Sequence, residues 1–239
     1  FDAKSATLDD GTRLEGETLV VALGREVPEA PENARPFYRL EDAAFVRETL
    51  EGWDGASKDI VVVGGGYTGV ELACNLKRKR PGDAVTLWDR GDALVPNAAP
   101  GNRAAAEKAL EAAGVSIKMG AAYDGAAADL VMWTAGSTLP SAIRGAPRRC
   151  RSRSTGALAA DAGLRVRGAA DVFALGDCAA VAGVSQLPSA QMALQQSACA
   201  ARNVRGALAG SSTIANFRFA ELGEALTFGE EDASFALVP

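Results

Sequence analysis

Apolar runs alternate with amphipathic segments along most of this chain. The clearest run, Ile-Val-Val-Val at 60–63, is β-branched and predicts a parallel strand buried on both faces. The same reading predicts strands at 84–88, 115–118, 130–134 and 171–175, and a short buried strand at 18–23. Helical patterns occupy 40–50, 70–80, 102–113 and 189–208. Strands that alternate with helices predict a doubly wound α/β fold.

The remaining segments contain turn signals or weak patterns. Asp9-Asp10-Gly11 predicts a hairpin between short strands within 5–14. The segments 26–36 and 140–156 are predicted as loops, and weak alternation over 217–239 predicts short strands.

The composition is that of a globular protein and excludes several classes. Of the 239 residues 48% are hydrophobic, and the net charge of −5 argues against nucleic-acid binding. No apolar run approaches the ~20 residues of a membrane-spanning helix, and no signal peptide is evident. Because the chain opens on Phe1, we expect it to be a fragment of a longer protein.

The chain contains no histidine, so it cannot supply a Ser-His-Asp triad or a His-ligated zinc. Its four cysteines are widely separated, which predicts buried thiols in a reducing compartment and no metal site. They are Cys74, Cys150, Cys178 and Cys199. Any chemistry is therefore expected to come from a cofactor, from carboxylates or lysines, or from a partner.

A glycine motif follows the strand at 60–63. Gly64, Gly66 and Gly69 form G-x-G-x-x-G at the start of a helix, and Asp89 ends the next strand. This context predicts a dinucleotide site, with the pyrophosphate at the helix N-terminus and Asp89 on the ribose hydroxyls. The alternative is an ordinary glycine-rich turn without a ligand.

Charged residues leave two questions open. Asp89 would repel the 2′-phosphate of NADPH, whereas Arg90 could pair with it, so NADH is favoured and dual use is possible. The basic run 77–80 is interpreted as a solvated helix end. The arginines between 148 and 153 are interpreted as an exposed loop, with anionic lipid as the alternative partner.

Four ordered motifs carry a family resemblance. GGGYTGVELA at 64–73, WTAG at 133–136 and DVFALGD at 171–177 resemble flavoproteins with two dinucleotide-binding domains. PSAQMALQQ at 188–196 is similar to a helix of the type II NAD(P)H:quinone oxidoreductases. The segment 217–229 looks most like their plastid and cyanobacterial branch.

The resemblance implies two Rossmann-like three-layer domains, with an NAD(P)H domain inserted into an incomplete FAD domain. The expected boundaries are 1–56 and 141–210 for the FAD domain, 57–140 for the NAD(P)H domain, and 211–239 for the start of an interface or membrane-docking region. The first FAD fingerprint is absent and the segment 118–128 is short for the family. The family's C-terminal amphipathic helices are also missing, so we expect this chain to hold FAD poorly.

The resemblance also assigns roles to individual residues. Asp177 would bind the FAD ribityl chain, with Gly176 near the phosphates, and Gly24 and Gly136 would also contact a cofactor. Gln191, Gln195 and Gln196 would lie near the isoalloxazine ring and the quinone, and Glu71 near the nicotinamide. The alternatives are a strand-ending turn for Asp177, a polar helix face for the glutamines and a favourable first-turn acid for Glu71.

The implied activity is hydride transfer from NAD(P)H to FAD, followed by two-electron reduction of a quinone. Peripheral contact with a membrane on the cytoplasmic, mitochondrial or plastid side, the last slightly favoured, and a possible homodimer follow from the same resemblance. The alternatives are a flavin reductase that serves a ferredoxin- or rubredoxin-type protein, and a non-catalytic NAD(P)H-binding fragment.

Overall fold

The computed structural model describes residues 5–185 and 187–237. Its contacts divide the chain into two compact units. The split unit comprises Phe1–Glu26 and Ser137–Glu221, and the inserted unit comprises Val27–Gly136 and Leu222–Pro239. The boundaries at 26 and 136 differ from the expected ones at 56 and 140. The assignment of FAD and NAD(P)H to particular segments stays a prediction.

The elements are numbered in chain order. The strands are β1 (Ser5–Thr7), β2 (Arg13–Glu15), β3 (Leu19–Val21), β4 (Arg35–Pro36), β5 (Asp59–Val63), β6 (Ala84–Trp88), β7 (Ser116–Lys118), β8 (Leu130–Trp133), β9 (Leu158–Ala160), β10 (Val172–Ala174), β11 (Ala179–Val181), β12 (Gly223–Thr227) and β13 (Ala233–Leu237). The helices are α1 (Leu40–Gly52), α2 (Tyr67–Lys79), α3 (Pro100–Ala113), α4 (Ser141–Arg144) and α5 (Ala190–Leu208). Short 3₁₀ turns span Arg148–Cys150 and Gly176–Cys178.

The inserted unit is built on a five-stranded parallel sheet in the order β4-β8-β5-β6-β7. The β-branched run predicted a parallel strand buried on both faces, and the central position of β5 fits this prediction. Ile60 and Val62 join a core with α1, α2 and α3, while Val61 and Val63 join a smaller cluster on the other face. Helix α3 begins with proline in its first turn and ends at Gly114 in the left-handed region, as sequence signals for helix ends predict.

The first boundary lies earlier than expected because α1 belongs to the inserted unit. Val46 of α1 is buried in the core with α2, and β4 pairs with β8. The last strands also belong there, since Leu226 and Phe228 are fully buried in the same core. Hydrophobic burial therefore attaches both flanking segments to the sheet.

The split unit contains the parallel pairs β3–β10 and β9–β11 and the predicted hairpin β1–β2. Helix α5 begins after Ser189, whose hydroxyl accepts a hydrogen bond from the Met192 N–H. Within residues 5–185 and 187–237, no helix has both the length and the apolar character that crossing a membrane requires.

Several sequence predictions of local structure were wrong. The strand at 18–23 was expected to be buried, but Val20 is 45% exposed and Leu23 is 54% exposed. The strand β3 ends at Val21, before Leu23, and within it Val21 is buried while Val20 points to the opposite, uncovered face. The two predicted loops contain β4, α4 and the first 3₁₀ turn. Strands β9 and β11 were missed because alanine-rich segments carry little strand signal.

Candidate functional site

The glycine-rich turn between β5 and α2 requires glycine at two positions. Gly64 has φ +120°, and its N–H donates a 2.8 Å hydrogen bond to the Trp88 carbonyl. A Cβ on Gly64 would lie 2.6 Å from Thr134 Oγ1, and a Cβ on Gly69 would overlap the Gly64 carbonyl oxygen. Close packing of α2 on the sheet therefore excludes larger residues here.

Gly66 serves a different purpose. A Cβ at this position would meet nothing within 4 Å, so the backbone there faces open space. The first intrahelical hydrogen bond runs from the Val70 N–H to the Gly66 carbonyl, which leaves the N–H groups of 67–69 ahead of it. These N–H groups and the positive end of the helix dipole suit a phosphate.

Asp89 follows β6 and shapes the neighbouring turn. Its Oδ2 accepts a 2.6 Å hydrogen bond from the Gly65 N–H, and its Oδ1 accepts one of 2.6 Å from the Gly91 N–H. A carboxylate has about four lone-pair sites, so capacity for ribose hydroxyls is left. Arg90 beside it is exposed.

The glycine-rich turn and Gly136, both predicted to contact a cofactor, lie at one edge of the sheet. In the pairing of β5 with β8, Val63 is opposite Trp133. Gly136, with φ +76°, therefore follows a strand end next to the glycine-rich turn. Carboxyl ends of parallel strands are the usual position of ligands in such sheets.

Val95 is a residue of this edge that the sequence did not identify. It is fully buried, has φ +36°, and its N–H donates a 2.7 Å hydrogen bond to the Gly65 carbonyl. Positive φ is unfavourable for a β-branched residue, so backbone strain is held beside the glycine-rich turn.

Glu224 of β12 was also missed, because it lies about 157 positions along the chain from Tyr67. Its Oε2 accepts a 2.6 Å hydrogen bond from the Tyr67 hydroxyl. Its Oε1 accepts hydrogen bonds from the Ala99 N–H at 2.5 Å and from Asn102 Nδ2 at 2.9 Å. One carboxylate thereby connects the first turns of α2 and α3 to the β12–β13 hairpin.

This environment changes the pKa of both partners. Burial and the adjacent carboxylate raise the pKa of Tyr67 well above its ordinary range. Burial alone would raise the pKa of Glu224, but the hydrogen bonds from Tyr67, Ala99 and Asn102 outweigh it and lower that pKa. The carboxylate of Glu224 is therefore charged at neutral pH.

Glu71, predicted to approach the nicotinamide, is half-buried one turn into α2. Its Oε1 accepts a 3.0 Å hydrogen bond from the Thr227 N–H of β12. The structure thus gives Glu71 a contact with the hairpin, and its role toward a nucleotide stays a prediction.

In the split unit, the predicted flavin residues lie where β10 ends. Gly176 has φ +70°, and its N–H donates a 2.6 Å hydrogen bond to Gln196 Oε1, whose side chain is 1% exposed. Asp177 and Gln196 line a cavity of about 670 Å³, and Arg25 and Met192 form other parts of its wall. This volume is within the range of small-molecule sites. Within the described residues, no hydrogen bond or ion pair engages the Asp177 carboxylate.

Cys178 joins this turn to the end of β3. Its thiol donates to the carbonyls of Leu175 and Val21 at 3.4 and 3.6 Å. Burial raises the pKa of Cys178, although the N–H groups of Leu23 and Gly24 partly oppose the effect. Gly24, with φ +61°, is thereby placed beside the Gly176–Cys178 turn.

The structure separates the three predicted glutamines. Gln196 binds the Gly176 turn, whereas Gln195 exchanges two hydrogen bonds with the backbone of Ala220, at 2.8 and 2.9 Å. Gln191 is half-buried in the first turn of α5. The neighbouring glutamines of α5 thus bind two different backbone segments of the split unit, the Gly176 turn and Ala220.

The thiols match the sequence prediction. Cys74, Cys150 and Cys178 are buried and Cys199 is half-buried, and all four are free. Burial raises the pKa of Cys74 to about 11, which disfavours the reactive thiolate.

A family model described as pyridine nucleotide-disulphide oxidoreductase matches residues 1–197. An alternative NAD(P)H-ubiquinone oxidoreductase C1, chloroplastic/mitochondrial, of Arabidopsis thaliana is 31% identical over 96% of this chain and 53% of its own length. A demethylphylloquinone reductase of Synechocystis sp. is 31% identical over 98% of this chain and 65% of its own length. The chain thus spans just over half to about two thirds of these relatives. The matches confirm the predicted resemblance.

Solved structures support the fold. NDH2 of Plasmodium falciparum in complex with NADH is similar with a TM-score of 0.74 and 14% identity, over 98% of this chain and 72% of that one. A ferredoxin reductase of Rhodopseudomonas palustris is similar with a TM-score of 0.69 and 21% identity. The match covers 89% of this chain and 57% of the reductase. These likenesses confirm the predicted Rossmann-like α/β fold.

Proposed function

This chain belongs to the pyridine nucleotide-disulphide oxidoreductase family, and from that premise we propose that its protein is a type II NAD(P)H:quinone oxidoreductase. The proposed reaction uses FAD and NAD(P)H and reduces a quinone. The observation that supports it is the presence in one chain of two glycine-containing turns that leave room for a ligand, the open Gly66 turn and the Gly176–Asp177 turn beside a cavity. The names of the two relatives support the quinone as acceptor.

The residues of the inserted unit fit a dinucleotide. Glycine at 64 and 69 keeps α2 against the sheet, and the bare backbone at Gly66 leaves room for a pyrophosphate. Asp89 would hold the ribose hydroxyls, and its charge supports NADH over NADPH. Glu71 is proposed to lie near the nicotinamide while it keeps its bond to Thr227.

The residues of the split unit fit one part of a flavin. The Asp177 carboxylate lines the 670 Å³ cavity and can accept hydrogen bonds from ribityl hydroxyls. Gln196 holds the Gly176 N–H and so fixes the direction of this turn. Gln191 and Gln195 are proposed to lie toward the flavin ring and the quinone.

When bound, the nicotinamide and flavin would supply the hydride and electron chemistry. The chain's own residues would hold and orient the two groups and exclude water, and this role requires no imidazole. Because no histidine is present, the pH dependence of turnover should not contain the titration of an imidazole of this chain. Peripheral membrane contact, a plastid or mitochondrial location and a homodimer belong to the same proposal.

The test uses the complete protein, purified in the dark. We expect a yellow protein that oxidises NADH with a soluble quinone analogue as acceptor. Asp177→Ala should remove most of the flavin, whereas Asp9→Ala, an exposed acid of the same unit, should retain it. A colourless protein without quinone-dependent turnover would overturn the proposal, and so would electron transfer to a ferredoxin with none to quinones.

A further inference from the structure

A second cavity of the split unit has an unusual lining. Its volume is about 890 Å³, and its described walls consist of five arginines, two glycines and one serine. The arginines are Arg148, Arg149, Arg151, Arg153 and Arg167. No described lining residue is acidic or has an apolar side chain. Among the residues of this cavity, none has a role in the proposed reaction.

Backbone contacts hold part of this lining in place. Arg167 donates from Nε to the Arg149 carbonyl at 3.0 Å and from Nη2 to the Arg151 carbonyl at 2.8 Å. The 3₁₀ turn Arg148–Cys150 and the bridge between Arg151 and Leu158 fix the chain on either side. These contacts hold the backbone around the cavity in place, while Arg148, Arg149 and Arg153 are exposed, as the sequence predicted.

Three of the cavity's five arginines have no carboxylate partner within the described chain. Over residues 5–185 and 187–237, no carboxylate forms a salt bridge with Arg148, Arg153 or Arg167. The Nε of Arg151 is buried and has no hydrogen-bond partner there. The whole chain carries a net charge of −5, so this positively charged cluster has the opposite sign to the chain as a whole. Like charges around one cavity repel each other unless an anion lies between them.

We propose that this cavity binds a phosphate-bearing anion with more than one negative charge. Guanidinium groups pair with phosphates and carboxylates alike through two parallel hydrogen bonds. Five arginines around one cavity therefore favour the anion with the larger negative charge, which is a phosphate group rather than a single carboxylate. The volume fits a small molecule such as a pyrophosphate or a nucleoside diphosphate. A free phosphate ester and a lipid headgroup share this chemistry, but the cavity walls offer no apolar side chain to an acyl chain.

The first test is calorimetric titration of the purified protein with inorganic pyrophosphate. We expect the double variant Arg148→Gln/Arg153→Gln to weaken binding by about tenfold or more, because two charge-assisted contacts are removed. The control Arg202→Gln/Arg218→Gln removes the same charge from exposed positions that do not line the cavity, and it should bind like the wild type. Equal losses in both variants, or no loss in the first, would contradict the proposal.

The second test separates the sources of the phosphate. Phosphatidylcholine vesicles with and without phosphatidate are mixed with the wild type and with both double variants in a flotation assay. Flotation of the protein with the vesicles would assign a headgroup if it needs phosphatidate, is lost in the cavity variant and is competed by pyrophosphate. Pyrophosphate binding without vesicle binding would assign a soluble phosphate ester. A wild type that binds neither probe overturns the proposal, whether or not it oxidises NADH.

Discussion

The Tyr67 hydroxyl donates a 2.6 Å hydrogen bond to Glu224 and so ties the first turn of α2 to the β12–β13 hairpin. The same carboxylate accepts from Asn102, which is 1% exposed, and Asn102 Oδ1 accepts a 2.6 Å hydrogen bond from Ser234. The hairpin thereby contacts the helix that would hold the nucleotide phosphates. This connection gives the C-terminal strands a direct physical influence on the proposed NAD(P)H site.

Replacing Tyr67 with Phe keeps the ring and removes this bond. We expect the free energy of unfolding to fall by about 1–2 kcal/mol, because a partly buried carboxylate loses a donor. NADH affinity should fall by about three- to tenfold as the first turn of α2 loosens. Urea unfolding and energy transfer from tryptophan to NADH would measure the two effects.

The control is Tyr123→Phe in the same unit. The Tyr123 hydroxyl contacts exposed groups, the carbonyl of Ala126 and the amide of Asn33, while its ring packs edge-on against Trp88. The control should bind NADH normally. If Tyr67→Phe also has wild-type affinity, the bond to Glu224 does not position the site.

Glu224 should make stability depend on acid pH. Its pKa is lowered from the ordinary 4.5 in the folded protein, so the unfolded state binds this proton more readily. The contribution is fully present above the unfolded value and is lost as pH falls through the folded one. Glu224→Gln should therefore flatten the stability profile below about pH 5.

Denaturant unfolding at closely spaced pH values would measure this slope. Glu221→Gln, an exposed acid close in sequence, is the control and should keep the wild-type slope. An unchanged slope in Glu224→Gln would show that its hydrogen bonds do not favour the charged form.

The glycine motif offers a pair of matched substitutions. Gly69→Ala places a methyl group against the Gly64 carbonyl, so we expect a clear loss of thermal stability. Gly66→Ala meets no protein atom within 4 Å, so the melting temperature should stay near that of the wild type. NADH binding should nevertheless fall by about tenfold or more in Gly66→Ala, because the backbone can no longer approach a pyrophosphate.

Gly82→Ala provides the control for Gly66→Ala, since it also meets nothing within 4 Å and is exposed. Gly82→Ala should leave both the melting temperature and the NADH affinity unchanged. Normal NADH affinity in Gly66→Ala would mean that the nucleotide does not use this turn.

Gln196 should support the flavin through the Gly176 turn. Gln196→Met preserves the volume but leaves the Gly176 N–H without its acceptor, at a cost of about 1–3 kcal/mol in the free energy of unfolding. We expect the complete protein to release flavin more readily, as measured by the absorbance of the filtrate after dilution. Ser197→Ala, at an exposed position of α5 without a proposed role, should retain the flavin of the wild type. Equal flavin loss from the two variants would contradict a specific role for Gln196.

Much of the sheet edge at which we propose nucleotide binding could be predicted from sequence, because its signals are local. The β-branched run at 60–63, the glycines and Asp89 lie within thirty positions of one another. Each of them indicates what the backbone or the charge must be at its own position, without reference to a distant segment. Buried cysteines and the main helices were predicted for the same reason. The resemblance added Asp177 and the glutamines, which local chemistry alone left ambiguous.

Contacts between distant segments required the tertiary structure. The sequence determined the α/β class, the glycine-rich turn and the lack of an imidazole in this chain, since periodicity and residue type are sufficient for these. Only the folded chain decided that Glu224 meets Tyr67, that Gln196 and Gln195 take different partners, and that arginines from two segments line one cavity. Such contacts depend on how hydrophobic burial brings separate elements together, and nothing in the local pattern of either segment encodes its partner.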